Sequence, residues 1–172
     1  NVSVLLDEEQ VADYVDPHRP IRDIPTGFEA PALDGACILV TGTGKYFRKI
    51  AYDPADSLGL VQLLDGGRTA RLLWGFSNGG SVTSEFPAHM MSHAARLRVD
   101  PASRVVMHCH PNHLLAMTYV HDLDSRAFTR TLWRMCSECV AVFPEGVNVL
   151  PWMLCGTNEI GAATAEQMKT AR

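Results

Sequence analysis

The sequence predicts a single α/β domain in which helices cover a central sheet. Short apolar runs bounded by Gly, Pro and Asn alternate with segments whose apolar residues recur at helical spacing. The 172 residues suffice for one domain with a proper core, and the composition (47% hydrophobic, 20% charged) is typical of a globular protein. Strands separated by a few helices favour layers packed around one sheet.

Each strand is predicted from an apolar run that ends at turn residues. The predicted strands span residues 1–6, 36–41, 58–64, 69–76, 105–110, 139–143 and 147–153. A Gly-Gly pair after the third of these predicts a hairpin. Helical spacing predicts helices over residues 84–98, 112–121, 125–135 and 158–172, and irregular loops are predicted over residues 16–34 and 53–60.

The motif His108-Cys109-His110 is the most informative feature of the chain. It follows an apolar run and precedes Pro111, which predicts the end of a buried strand. Side chains alternate along a strand, so His108 and His110 point the same way. Two neutral imidazoles form a chelating pair for a divalent transition metal, in particular zinc. Catalytic zinc usually has three protein ligands, so the pair alone is incomplete, and two histidines hydrogen-bonded at a strand end are an equal alternative.

The start of the helix predicted over residues 84–98 offers a second group of chemical interest. The Thr83 and Ser84 hydroxyls can accept hydrogen bonds from the free backbone N–H groups at the helix start. An acid such as Glu85 in the first turn interacts favourably with the helix dipole. The structural interpretation of these residues is therefore a plain N-cap. The same hydroxyls and amides also suit a substrate phosphate. In that interpretation Glu85 reaches the metal as a ligand or general base.

The segment Gly42-Thr43-Gly44-Lys45 has the composition of a phosphate loop without the Walker spacing. Tyr46 occupies the place of the Ser or Thr that such a loop needs, and no helix clearly follows. A tight hairpin turn is therefore the favoured interpretation. Donation from Thr43 and its neighbouring amides to a phosphate is the weaker alternative.

Three further groups carry less specific information. His89 and His93 lie four residues apart and share a helix face, but packing near the sheet is favoured over a second metal site. Cys136 and Cys139 form a Cys-x-x-Cys without a second pair, which favours structural thiols. Glu138 is more notable, because a charge between a helix and a buried strand costs free energy unless it is paired or functional.

Charge and cysteine content limit the partners and the compartment. The net charge of -4 argues against nucleic acid, and no stretch approaches the ~20 apolar residues of a membrane span. The 5 cysteines cannot all pair within the chain and lie in apolar segments, which favours reduced, buried thiols in a cytoplasmic protein. The chain opens at Asn1 on a strand already under way, and we expect it to be a piece of a longer protein, cut at both ends.

Several segments occur in an order that resembles the class II aldolase/adducin family over nearly the whole chain. The segments are Val-Thr-Gly-Thr-Gly-Lys-Tyr-Phe-Arg (40–48), Leu-Trp-Gly (73–75), Thr-Ser-Glu-Phe-Pro-Ala-His (83–89), Val-Met-His-Cys-His (106–110), Glu-Cys-Val-Ala-Val-Phe-Pro-Glu-Gly-Val (138–147), Leu-Pro-Trp-Met (150–153) and Gly-Thr-Asn-Glu-Ile-Gly (156–161). The resemblance implies a three-layer α/β/α sandwich with a mostly antiparallel sheet, assembled as a homotetramer. Residues 1–172 would form one such domain, incomplete at both termini.

The resemblance also implies a site. One Zn²⁺ per subunit is held by three histidines, of which His108 and His110 match two, and the third is expected beyond Arg172. Glu85 matches an acid that ligates zinc when substrate is absent and exchanges the proton during catalysis. Glu138 matches a glutamate offered to the active site of a neighbouring subunit. The residues that match contacts to the substrate phosphate are Asn1, Thr43, Thr83 and Ser84.

The implied activity is the reversible retro-aldol cleavage of a sugar phosphate to dihydroxyacetone phosphate and an aldehyde. Cleavage leaves negative charge on the dihydroxyacetone phosphate half, which zinc stabilises as a Lewis acid. The alternatives are a sister sugar-phosphate aldolase or epimerase, a non-catalytic adducin-like assembly domain, and a metal-dependent hydrolase. Because the third histidine and part of the phosphate loop lie outside the 172 residues, we expect these residues alone to be inactive.

Overall fold

The computed structural model describes residues 1–170 and contains a six-stranded sheet in which every paired neighbour is antiparallel. The strand order is β2-β5-β4-β3-β1-β6. The strands are β1 (Val2–Leu6), β2 (Arg22–Pro25), β3 (Cys37–Thr41), β4 (Leu58–Leu64), β5 (Thr69–Gly75) and β6 (Val105–Met107).

The helices fill the intervals between the strands and most of the second half of the chain. Aspartate and threonine side chains begin several of them: Asp124 accepts from the amide of Ala127 at 2.8 Å, and Thr157 accepts from that of Ile160 at 3.4 Å. The helices are α1 (Glu8–Ala12), α2 (Phe47–Ile50), α3 (Pro54–Ser57), α4 (Phe86–Val99), α5 (Asn112–Met117), α6 (Ser125–Met135), α7 (Glu138–Val142) and α8 (Asn158–Gln167), with a 3-10 turn at Pro31–Leu33.

Helices cover both faces of the sheet. On one face Phe86 and Met90 of α4 join a core whose strand residues include Ile38, Val61 and Leu72. Helix α8 packs against α4 in turn. On the opposite face Val11 of α1 packs among Cys37, Leu60 and Leu73. This arrangement confirms the predicted α/β class with a central antiparallel sheet. Among residues 1–170, no helix is long and apolar enough to cross a membrane.

The predicted strands over residues 1–6, 36–41, 58–64 and 69–76 are confirmed within one residue at each end, and the last two pair as the predicted hairpin. The loop predicted over residues 16–34 is wrong in part, because it contains β2. This strand ends at Pro25, which is tolerated because β2 lies at the edge of the sheet. The loop predicted over residues 53–60 is also wrong in part. Its first half forms α3, where Asp53 accepts from the amide of Asp56 at 3.1 Å.

Two predicted strands in the second half of the chain are wrong. Residues 139–143 lie mostly in α7, whose apolar residues Val140 and Val142 are exposed, so no sheet neighbour stabilises an extended form. Residues 147–153 form no strand. Instead, the amides of Val147 and Val149 donate to the Thr129 and Ser125 hydroxyls of α6, each at 2.9 Å, and these bonds replace a ladder.

The remaining differences concern the ends of elements. The helix predicted over residues 112–121 ends at Met117, and the one predicted over residues 158–172 ends at Gln167, while residues 171–172 lie outside the described part of the chain. The strand predicted over residues 105–110 ends at Met107. It is not buried but an edge strand, with Val105 and Met107 56% and 70% exposed.

Gly75 at the end of β5 is the position where we expect a small substitution to destabilise the fold most clearly. Its φ is +90°, and an added Cβ would overlap the carbonyl oxygen of Leu58 on β4. We expect Gly75→Ala to lower the free energy of unfolding by more than the ~1–3 kcal/mol that left-handed strain alone costs. Gly66→Ala is the matched control, because Gly66 has a φ of +69° and open space around it. Urea unfolding measures both variants, and equal losses would contradict the overlap.

Candidate active site

The strand order brings four predicted site segments to one end of the sheet. Because β1 is antiparallel to both β3 and β6, the start of β1 lies beside the ends of the other two. The Asn1 nitrogen donates to the His108 carbonyl at 2.8 Å, and the His108 amide donates to the Asn1 carbonyl at 2.9 Å. The start of α4 joins this end, because the Thr83 amide donates to the carbonyl of Thr41 at 3.1 Å.

His108 and His110 lie side by side just beyond β6. Their ring centroids are 4.8 Å apart at an interplanar angle of 78°. His108 is half-buried, and the Asn1 side-chain amide lies 3.3 Å from its Nδ1. Burial lowers the pKa of His108, partly offset by the nearby Glu85 carboxylate, so the ring is neutral at pH 7 with a lone pair for a metal.

The donors present fit zinc in kind but not in number. Neutral imidazoles and a carboxylate are ordinary zinc ligands, and catalytic sites use three of them. Within residues 1–170, no group of three or more His, Cys, Asp or Glu side chains is close enough to hold a metal ion. His108 and His110 can thus offer two ligands to a metal ion, and a complete catalytic site would need a further donor at this end of the sheet.

Glu85 borders the same space as His108. It is the N-cap residue of α4 rather than a first-turn acid, and its side chain makes no capping bond. Its amide donates to the Thr83 hydroxyl at 3.3 Å, so Thr83 holds the backbone while the carboxylate is left available. Glu85 and His108 line one cavity of about 140 Å³ between α4, β6 and α8. A carboxylate beside a neutral imidazole can act there as a base.

The residues matched to phosphate contacts differ in exposure. Thr43 and Ser84 are exposed and Asn1 is half-buried, whereas Thr83 is only 2% exposed. The Thr43 amide already donates to the carbonyl of Ser81 at 3.0 Å, so its hydroxyl remains the group available to a phosphate. The hairpin turn favoured for residues 42–45 is wrong, because the chain runs on into α2 instead of returning directly to β4.

A polar network that sequence reasoning missed holds this loop in place. Lys45 contacts both carboxylate oxygens of Asp56 at 2.7 Å, and the Asn78 amide donates to the same carboxylate at 2.9 Å. Hydrogen bonds from Lys45 and Asn78 hold the pKa of Asp56 below its usual range. Asp56 thereby connects the glycine loop after β3 with the glycine loop after β5. The only sequence signal was an aspartate in a segment predicted as a loop.

Glu138 does not line the cavity shared by Glu85 and His108. It is an exposed residue in the first turn of α7, so the burial cost inferred for it from a strand at residues 139–143 does not arise. The neighbouring Cys136 and Cys139 are free thiols at the junction of α6 and α7. The expectation of buried thiols is wrong for most cysteines, because only Cys37 is buried.

His89 and His93 pack against β1, as the sequence predicted. Both contact Ser3, a buried strand residue that sequence reasoning did not single out. Alternation along residues 1–6 places Ser3 on the same face as Leu5, so a buried polar side chain was detectable there, but its partners were not.

The comparison with known families agrees with this geometry. Residues 20–172 match the class II aldolase and adducin N-terminal domain. The chain therefore belongs to the class II aldolase/adducin family. Class II aldolases are generally metal-dependent, in accord with the pair of histidines at the sheet end.

The individual relatives that the chain resembles share one enzyme name within this family. The chain is 57% identical over its full 172 residues to a rhamnulose-1-phosphate aldolase of Listeria monocytogenes serovar 1/2a. It is 49% identical over 172 residues to the protein of the same name from Enterococcus faecalis, and 44% identical over 98% of the chain to that from Escherichia coli O1:K1 / APEC. The chain spans 62–63% of the length of these curated relatives.

A solved structure supports the fold independently. The crystal structure of a sugar-phosphate aldolase from Thermotoga maritima superposes with a TM-score of 0.78 at 27% sequence identity. The match covers 99% of this chain and 68% of that one. The overall fold is thus shared with this sugar-phosphate aldolase.

Proposed function

We propose that the full-length protein is a zinc-dependent aldolase that cleaves L-rhamnulose 1-phosphate reversibly to dihydroxyacetone phosphate and L-lactaldehyde in rhamnose catabolism. The observation that carries the chemistry is the shared cavity of Glu85 and His108 at the sheet end where Asn1 and Thr83 also lie. The choice of substrate rests on the relatives that bear this enzyme's name at 44–57% identity.

Each residue has a distinct task in this proposal. The Asn1 amide and the hydroxyls of Thr43, Thr83 and Ser84 bind the substrate phosphate and fix its position relative to Glu85. The imidazoles of His108 and His110 hold one zinc ion, together with a third ligand. When bound, zinc supplies Lewis-acid stabilisation of the negative charge that cleavage develops.

Glu85 moves the proton in this mechanism. As the carbon–carbon bond breaks, the hydroxyl of the departing half loses its proton to a base and becomes the aldehyde carbonyl. The electron pair of the broken bond stays on the dihydroxyacetone phosphate half, and the Glu85 carboxyl donates a proton to the carbon that carries it. In the synthetic direction the Glu85 carboxylate removes that proton again. A Schiff-base lysine is not required: Lys45 is paired with Asp56, and the other lysines of the chain, Lys49 and Lys169, are exposed.

We further propose that residues 1–172 belong to one domain of a cytoplasmic homotetramer. Apolar side chains exposed in the second half of the chain support association with further copies, because such surface is usually covered. They include Val105, Met107, Leu115, Val120, Val142, Trp152 and Leu154. The 5 free cysteines are compatible with a reducing compartment.

A coupled assay for dihydroxyacetone phosphate tests the function. We expect the full-length protein to release it faster from L-rhamnulose 1-phosphate than from L-fuculose 1-phosphate. The reverse preference would indicate a sister aldolase, and no cleavage of either would favour an adducin-like domain.

The 172 residues alone should give no useful turnover, because the donor set is incomplete and an error of about 1 Å in such a site costs ~10²-fold. Comparable turnover from them would contradict the need for a further ligand.

Glu138 provides a test of assembly. If it serves a neighbouring subunit, a Glu85→Gln protein and a Glu138→Gln protein are each inactive, but mixed tetramers regain some sites with both glutamates. After random exchange of equal amounts, each site has a one-half chance of an intact Glu85 and a one-half chance of an intact Glu138 from the neighbouring subunit. About a quarter of the sites in a cyclic assembly are then intact. We therefore expect about a quarter of the normal turnover after subunit exchange. No recovery in tetramers shown by mass spectrometry to be mixed would assign both groups to one subunit.

A further inference from the structure

A buried polar cluster lies between β1 and α4, next to the candidate active site. Ser3, His89 and His93 are each at most 1% exposed. The Ser3 hydroxyl lies 2.7 Å from His89 Nδ1 and 2.8 Å from His93 Nε2. The other two ring nitrogens, His89 Nε2 and His93 Nδ1, are buried without a hydrogen-bond partner among the described residues. Because buried polar atoms are normally paired, these two atoms require an explanation.

The cluster allows only a few arrangements of protons. Both rings are neutral at pH 7, because burial lowers the pKa of His89 to about 3 and that of His93 to about 4. A neutral imidazole carries one N–H and a hydroxyl carries one proton. If both rings donated to Ser3, the hydroxyl proton would have no acceptor in the core. Ser3 therefore donates to one ring and accepts from the other.

The two remaining arrangements differ in which unpaired nitrogen carries a proton. When Ser3 donates to His89 Nδ1, the His89 proton is on Nε2, and His93 is left with an unpaired lone pair. In the opposite arrangement the unpaired N–H is on His93, which is 0% exposed and does not line the cavity of Glu85 and His108. An unpaired buried N–H is the less tolerated defect, so the first arrangement is favoured if His89 can reach an acceptor.

The cavity beside His89 offers that acceptor. His89 lines the space of about 140 Å³ together with Glu85 and His108. Glu85 lies four residues before His89, a spacing that places side chains on the same helix side. Its carboxylate makes no hydrogen bond or ion pair with the described residues. The volume also admits ordered water, at about 30 Å³ per molecule. A histidine with an unpaired ring nitrogen and a glutamate with an unpaired carboxylate therefore line one small cavity.

We propose that His89 is a positioning residue of the active site, whose Nε2–H is linked to the Glu85 carboxylate through one water molecule in the cavity that both residues line. Ser3 and His93 hold His89 in the tautomer that can donate. The carboxylate is thereby kept oriented beside His108 instead of rotating freely at the helix start. The catalytic part of this inference rests on the proposed function, while the tautomer and the contact do not.

Nitrogen-15 NMR of the histidine side chains tests the contact without activity. We expect His89 to carry its proton on Nε2, with its resonances identified by their loss in His89→Gln. Glu85→Ala should shift the His89 Nε2–H resonance, whereas Glu159→Ala, which removes an exposed acid of α8, should not. A proton on Nδ1 of His89, or no shift in Glu85→Ala, would overturn the proposal.

Kinetics of the full-length protein then separate positioning from packing. Removal of a partner that orients an active-site group typically costs about 10–100-fold, so we expect His89→Leu to lower kcat by that factor with little change in KM. His89→Gln restores a distal N–H and should recover most of the rate. His93→Leu is the matched comparison, because it removes an equally buried ring from the same cluster but leaves Ser3 able to donate to His89, so we expect it to lower kcat less than His89→Leu does.

The pattern across the variants decides the role. Equal kcat losses in His89→Leu and His93→Leu, or no recovery in His89→Gln, would show that the ring merely packs. If His89→Leu does not fold, His89→Gln and the tautomer measurement still decide. If Glu85→Gln itself retains normal turnover, the proposed function fails, while the NMR result continues to test the His89 contact separately.

Discussion

Alanine in place of His108 or of His110 is expected to abolish high-affinity zinc binding in the full-length protein. The ring centroids lie 4.8 Å apart, which is close enough for one ion to contact a nitrogen of each ring, and burial lowers the pKa of His108 and so favours its metal-binding neutral form. Loss of even an outer-shell partner of a metal ligand weakens affinity about 10–100-fold. Loss of a direct ligand should therefore weaken zinc binding by more than ~100-fold.

Elemental analysis after dialysis against a chelator measures this effect. His113→Ala is the matched control, because His113 is an exposed histidine on α5 only three residues after His110. We expect His113→Ala to retain one zinc per subunit and the other two variants to retain almost none. Full retention in both His108→Ala and His110→Ala would remove these residues from the metal site.

The pairing of β4 with β5 was predictable because the two strands are neighbours in sequence. Residues 58–64 and 69–75 carry apolar runs on both sides of a Gly-Gly turn, and the local pattern suffices to define the hairpin. Residues 139–143 show the opposite case. Val140 and Val142 have high strand propensity, yet they lie exposed in helix α7, and no described strand pairs with them. Propensity is outweighed by the availability of a partner.

The residues of the site were predictable from the sequence, but the contacts that bring them together in the fold were not. The spacing of His108 and His110 indicates a chelating pair from sequence alone. The approach of Glu85 depends on a long-range feature, the insertion of β1 between β3 and β6, which no local pattern encodes. Family resemblance supplied that link in advance. Ser3 illustrates the limit: its inward direction follows from alternation, but its two histidine partners follow only from the packing of α4 on β1.

Glu85→Gln is expected to reduce cleavage by ~10²–10⁴-fold, the usual contribution of a general acid–base group. The amide has the same shape but cannot exchange a proton, so the fold and the phosphate contacts should persist. Inhibition by inorganic phosphate should change little, because Asn1, Thr43, Thr83 and Ser84 are untouched. Zinc content is measured in the same samples to separate loss of the proton donor from loss of a ligand.

The control for this substitution is Glu159→Gln, which alters an exposed first-turn acid of α8 with no place in the cavity. It should retain turnover within about twofold, as surface substitutions usually do. If Glu85 served only the dipole of α4, the two variants would behave alike, because each would lose one acid at a helix start. A large loss confined to Glu85→Gln, with zinc retained, instead requires a chemical role, and the shared cavity with His108 is where that role can be exercised. Near-normal turnover in Glu85→Gln would contradict this role. Glu85 would then be only an acid at the start of a helix, and the proton donor would have to be another residue.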